Sequence, residues 1–131
     1  MALCLSAGAL AVSLAVQSFT LAWTHSIEKV RWEEDWQVGE RLQLVAARIR
    51  GSGAGMEAPD GAVLVDGVWH YRPAVAAQAE LLLTHSPHTA GYTLCAAGQC
   101  WTLDELLPGL ATNAVVKLTA CAASTGVAPA R

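Results

Sequence analysis

His25, Glu28 and Glu34 are the side chains whose types and spacing could do chemistry. His25 continues the alternating series Phe19, Leu21, Trp23, so it points toward the apolar side of its strand. Glu28 and Glu34 share the parity of Val30, Trp32 and Trp36. A carboxylate on an apolar face needs a partner, because burying an isolated charge is costly. An imidazole is a natural one. Such a cluster at the mouth of a barrel would bind a polar ligand or a cation. The plain alternative is a histidine satisfied within the core and carboxylates bonded to nearby backbone. A small hydrolase-like enzyme built on His25 and Glu34 is the catalytic alternative, and it requires both side chains to converge in a pocket.

Other catalytic patterns are weaker. Ser26 follows His25, and Ser86 follows His85, but adjacent side chains on a strand face opposite ways. No Gly-x-Ser-x-Gly elbow frames either serine. The run Gly51-Ser52-Gly53-Ala54-Gly55-Met56 looks like a phosphate loop, yet it lacks the Lys-Ser or Lys-Thr of a P-loop and no helical pattern follows. Main-chain N–H groups of Gly51, Gly53 and Gly55 could still cradle an anion. The duller reading is that these glycines supply positive φ or a bulge where a strand leaves its sheet.

Cys95 and Cys100 flank Ala-Ala-Gly-Gln, read as a four-residue hairpin loop. Residues flanking such a loop face each other, so a disulfide is geometrically allowed. Two small half-buried thiols are the other reading. Metal binding would need further ligands, and no second paired cluster joins these two. No metal or other cofactor is expected.

The elements that must position these groups are strands. Leu10, Val12, Leu14 and Val16 alternate with Ala9, Ala11, Ser13 and Ala15, large against small, at period two. The expected strands are 3–6, 9–16, 18–26, 28–38 and 42–50. In 28–38, Lys29, Arg31, Glu33, Asp35 and Gln37 form a solvated face opposite the tryptophans. Asp66-Gly67 between 62–65 and 68–71 is a hairpin signal. Further strands fall at 80–84, 92–95, 100–103 and 114–119, with one helical turn at 104–107. From Ala120 the residues are small and mostly polar, and a frayed tail over 120–131 is expected after a single domain over 1–119. Many short strands with turn signals between them, and at most one short helical turn, predict an all-β antiparallel sandwich or barrel. Simple meander connectivity would bring His25-Ser26 and Gly51–Met56 to the same end, where they would form the binding site with Glu28 and Glu34.

Composition supports a folded chain. Of 131 residues, 53% are hydrophobic and 15% charged, which excludes a disordered polymer. The net charge of −3, without a basic stripe, gives no electrostatic support for nucleic-acid binding. Five of the eight aromatic residues are tryptophan, as expected of core anchors or an apolar groove. The opening carries no Lys or Arg before its apolar run, so it makes a poor secretory signal. Its alternation favours strands over a membrane helix.

Five stretches carry a resemblance. They are Phe19–Lys29 with Trp32-Glu33-Glu34-Asp35-Trp36, then Arg48–Glu57, then Trp69–Pro73 with Leu94–Cys100. Together they resemble the bacterial domain-of-unknown-function family numbered 1850, over residues 1 to 107. His25-Ser26 and the Gly-Ser-Gly-Ala-Gly-Met run are its most specific parts. The resemblance carries no assigned activity. It implies a non-enzymatic binding or accessory module, since members are often found beside tripartite periplasmic (TRAP) solute transporters of the TAXI type. A TRAP-type permease or solute-binding protein is then the expected partner, and the cell envelope or periplasm the expected place. The poor match to a signal sequence leaves the cytoplasm open. The resemblance also favours Leu3 to Val16 as part of the folded domain.

Overall fold

The computed structural model describes residues 1–24, 30–50, 61–86 and 91–122. Where large and small side chains alternate near the start, the chain forms β1 (Ala2–Ala7) and β2 (Leu10–Leu14). Gly8 takes φ +58° in the turn between them. Their register sets Leu3 opposite Leu14 and Leu5 opposite Val12, so one face is wholly apolar. Next come β3 (Ser18–Thr24), β4 (Arg31–Val38) and β5 (Leu42–Arg50), a continuous antiparallel meander. The hairpin β6 (Val63–Val65) and β7 (Val68–Tyr71) follows. After it come β8 (Glu80–Thr84), β9 (Thr93–Ala96), β10 (Gln99–Thr102), the helical turn α1 (Leu103–Leu106) and β11 (Val115–Cys121).

These strands make two antiparallel sheets, one of four strands ordered β2-β1-β11-β8 and one of seven ordered β10-β9-β3-β4-β5-β7-β6. The fold is an all-β sandwich. Leu3, Leu5, Val116 and Leu118 from the smaller sheet share one core with Phe19, Leu21, Trp36 and Leu94 from the larger. The helical turn closes the core with Leu103 and Leu106, backed by Leu107. A capping box fixes its start: the Thr102 hydroxyl accepts from the Glu105 N–H while the Glu105 carboxylate accepts from the Thr102 N–H.

A bulge in β5 reverses which of its side chains face the core. Asp35 pairs with Ala46 and Trp36 with Leu44, which leaves Val45 as the extra residue. Leu42 and Leu44 face the core on even numbers, and after the bulge Ala47 and Ile49 do so on odd ones. Arg48 and Arg50 are thereby turned to the outer face.

Two expectations are corrected. The loop between Cys95 and Cys100 is two residues long, not four, because Ala96 and Gln99 pair within the ladder. Ala97 (φ +51°) and Gly98 (φ +79°) make the turn, as Asp66 (φ +49°) and Gly67 (φ +78°) do in the β6–β7 hairpin. The tail does not begin at Ala120. Ala120 and Cys121 are the last residues of β11, paired with Leu3 and Ala2, and a Cys4–Cys121 disulfide ties this strand to β1. The strands expected over 18–26 and 28–38 are described as far as Thr24 and from Arg31 onward.

Candidate functional site

The two faces of β4 present different chemistry. Outward, Arg31, Glu33 and Asp35 meet Arg48 and Arg50 of β5 and Thr20 of β3. Arg48 grips Asp35 with both terminal nitrogens, at 2.7 and 2.8 Å, and its Nε donates to Glu33 at 2.9 Å. Arg31 and Arg50 also reach Glu33, at 3.0 and 3.3 Å, and the Thr20 hydroxyl donates to Asp35 at 2.7 Å. Partial burial pushes the Glu33 carboxyl up, but the three arginines outweigh it and hold the group below its ordinary value. Arg48 likewise holds Asp35 down, against partial burial and with help from Thr20. Asp35 in turn holds the Arg48 guanidinium in its charged form. Each of these charges has an opposite partner within the sheet, so this face reads as a structural ladder.

Inward, the register sets Leu94, Leu21, Glu34, Ala47 and Tyr71 in one row across five strands. Glu34 is the one charged member. Leu94, Leu21 and Ala47 are buried, while Glu34 is half-buried. The Trp36 indole N–H donates to its Oε1 at 3.2 Å. No cation pairs with Glu34 among the described residues. Burial raises its carboxyl above the ordinary value, and the indole bond offsets only part of that.

The adjoining row is aromatic. Trp23 pairs with Trp32, Trp32 with Ile49, and Ile49 with Trp69. The Trp23 and Trp32 rings stack with centroids 6.2 Å apart, and Tyr92 tilts against Trp23 at 5.6 Å. Burial, then the Glu34 charge, raises the phenols of Tyr71 and Tyr92, so both tyrosines lie within its field. Ile49 is buried outside the main core cluster, while Trp23 and Tyr92 are half-buried and pack against that cluster. A groove of about 480 Å³ is lined by Ala46, Ala47, Arg48, His70, Tyr71 and Arg72, two of which, Ala47 and Tyr71, belong to the Glu34 row.

Of the residues singled out from sequence, Glu34 is where parity placed it. His25, Ser26, Glu28, Gly51, Gly53, Gly55 and Met56 lie outside the described residues. The strand ends leading to them do converge: Thr24 pairs with Arg31, and Arg31 with Arg50. His85, the other histidine considered beside a serine, has its Nδ1 buried without a hydrogen-bond partner. Cys95 and Cys100 are joined in a disulfide across the β9–β10 hairpin. Sequence reasoning missed Tyr71 and Tyr92. The signal for Tyr71 was its place beside Trp69 in a strand. Tyr92 meets Trp23 only through the β3–β9 pairing, which no local pattern announces. Among the described residues there is no group of three His, Cys, Asp or Glu able to hold a metal ion, and no helix long and apolar enough to cross a membrane.

A family model described as a domain of unknown function (DUF1850) matches residues 19–103. That stretch contains the meander, the aromatic row and Glu34. No curated protein and no solved structure matches the chain.

Proposed function

The chain belongs to the DUF1850 family, and on that footing we propose that it is a non-enzymatic binding module serving a TAXI-type TRAP solute transporter. The observation that carries the binding role is Glu34, a half-buried carboxylate that has one neutral donor among the described residues and stands beside tryptophan and tyrosine rings. A wall meant only to close a core would carry an aliphatic side chain there, as its row neighbours Leu21 and Ala47 do. The transporter link rests on the family's occurrence beside such systems. The module contacts the permease or its solute-binding protein. The Cys4–Cys121 and Cys95–Cys100 disulfides favour an oxidising compartment, in keeping with the cell envelope.

Affinity capture from native membranes tests the partner. The tagged, disulfide-bonded chain is expected to retain a TRAP permease or solute-binding protein after crosslinking. Recovery of neither, with a folded bait, rejects the accessory role.

A further inference from the structure

We propose that Glu34 and the aromatic rings around it bind a small organic cation, an alkylammonium with an apolar body. This rests on reading the domain as a binding module and names its ligand class. Among the described residues Glu34 is short of partners. A half-buried carboxylate has several acceptor positions, and the protein supplies one indole N–H for them among the described residues. Such a group is stabilised by a positive charge that enters its desolvated surroundings. The protein's own arginines on this part of the sheet are turned to the opposite face, where Arg48 is bonded to Asp35 and Glu33.

The surroundings select the kind of cation. Trp32 lies two residues before Glu34 on the same side of β4, and Trp23, its cross-strand partner, sits diagonally from Glu34. Tyr92 closes against Trp23, and Tyr71 lies in the Glu34 row beyond the small side chain of Ala47. The faces of such rings attract ammonium groups and bury the alkyl carbons attached to them. Among the described residues a compact metal ion finds no such fit, because one carboxylate is too few oxygen ligands for a hard cation. An organic anion would meet the Glu34 charge directly.

The test is titration of the disulfide-bonded chain with tetramethylammonium, n-butylammonium and glutarate. Tryptophan fluorescence and the indole N–H resonance of Trp36 are followed. Either cation is expected to saturate the signal and shift the Trp36 resonance, and Glu34→Gln is expected to weaken binding about tenfold. Tyr92→Leu provides a second variant that keeps the charge and loses a ring, with weakening of about threefold or more. Both variants must show cooperative unfolding before they are used. No response to either cation, or equal affinity in wild type and Glu34→Gln, overturns the proposal. Saturable glutarate binding with both cations silent overturns the ligand class while the binding-module reading stands. A transporter component captured from membranes without any cation response separates the two in the same way.

Discussion

Glu34 accepts the indole N–H of Trp36, two residues further along the same strand and on the same core-facing side, at 3.2 Å. The contact is local, and it offsets only part of the cost of burying Glu34. It gives the carboxylate one neutral donor where the outer face gives Asp35 a two-pronged guanidinium.

That difference predicts opposite pH behaviour. Burial raises the Glu34 carboxyl, so the native state holds its proton more tightly than the unfolded chain. Its destabilising effect is absent at low pH, grows as pH rises from the unfolded value through the folded one, and is full above it. Glu34→Gln keeps an acceptor for Trp36 and removes the charge. The urea midpoint of this variant should exceed wild type at pH 7, with the gap narrowing as pH falls through the raised folded value and closing by about 4.3, the usual glutamate value. A constant gap across pH 3 to 7 would show that Glu34 ionisation is not the cause.

Glu33 and Asp35 run the other way. Both are held below their ordinary values, so their stabilisation is present above the unfolded pKa and is lost as pH falls through the folded one. Arg48→Met removes the common partner and leaves two partly buried carboxylates facing only Arg31, Arg50 and Thr20. The expected loss at pH 7 is about 1–3 kcal/mol, shrinking in acid. Denaturant unfolding of wild type and variant at pH 7 and pH 3 measures both.

Ala97 occupies the left-handed region at φ +51° in the turn that joins β9 to β10, a conformation that L side chains other than Asn and Asp resist. Ala97→Asn should therefore stabilise the protein by about 0.5–1 kcal/mol, because Asn-Gly suits this two-residue turn. Gly98→Val, at φ +79°, should destabilise by more than that. Thermal midpoints of the two variants moving in the same direction would contradict the turn assignment.

The fold was legible because most strands advertise period two, and the Asp66-Gly67 turn is local chemistry. What was not legible depends on pairings between distant strands. Cys4 gave no sign of Cys121, since only the β1–β11 register brings them together. Ala120 and Cys121 looked like tail because their small side chains carry no hydrophobic pattern. The bulge at Val45 hid the phase change that sends Arg48 outward, because a strict alternation over 42–50 predicts one parity throughout. Glu34 could be read from parity alone. Tyr71 and Tyr92 became its neighbours through β5–β7 and β3–β9, two contacts that a sequence pattern does not encode.

The two disulfides should contribute very unequally. Cys4 and Cys121 are separated by 117 positions, and Cys95 and Cys100 by 5. In the chain-entropy model the stabilisation grows with the logarithm of the loop closed in the unfolded state, giving about 5 kcal/mol for the first and about 2 kcal/mol for the second. The long-range bond also joins neighbouring strands in the middle of the smaller sheet, β1 and β11, whose Leu3, Leu5, Val116 and Leu118 are fully buried. Replacing Cys4 and Cys121 together by Ala should therefore lower the urea midpoint much further than replacing Cys95 and Cys100. Mild reduction of the wild type should reproduce the larger loss once the Cys4–Cys121 bond opens. Peptide mapping of unreduced protein establishes which bonds are present, and unfolding of each double variant gives the loss. Equal losses from the two pairs would mean that native-state strain or residual unfolded structure, and not loop closure, dominates their contribution.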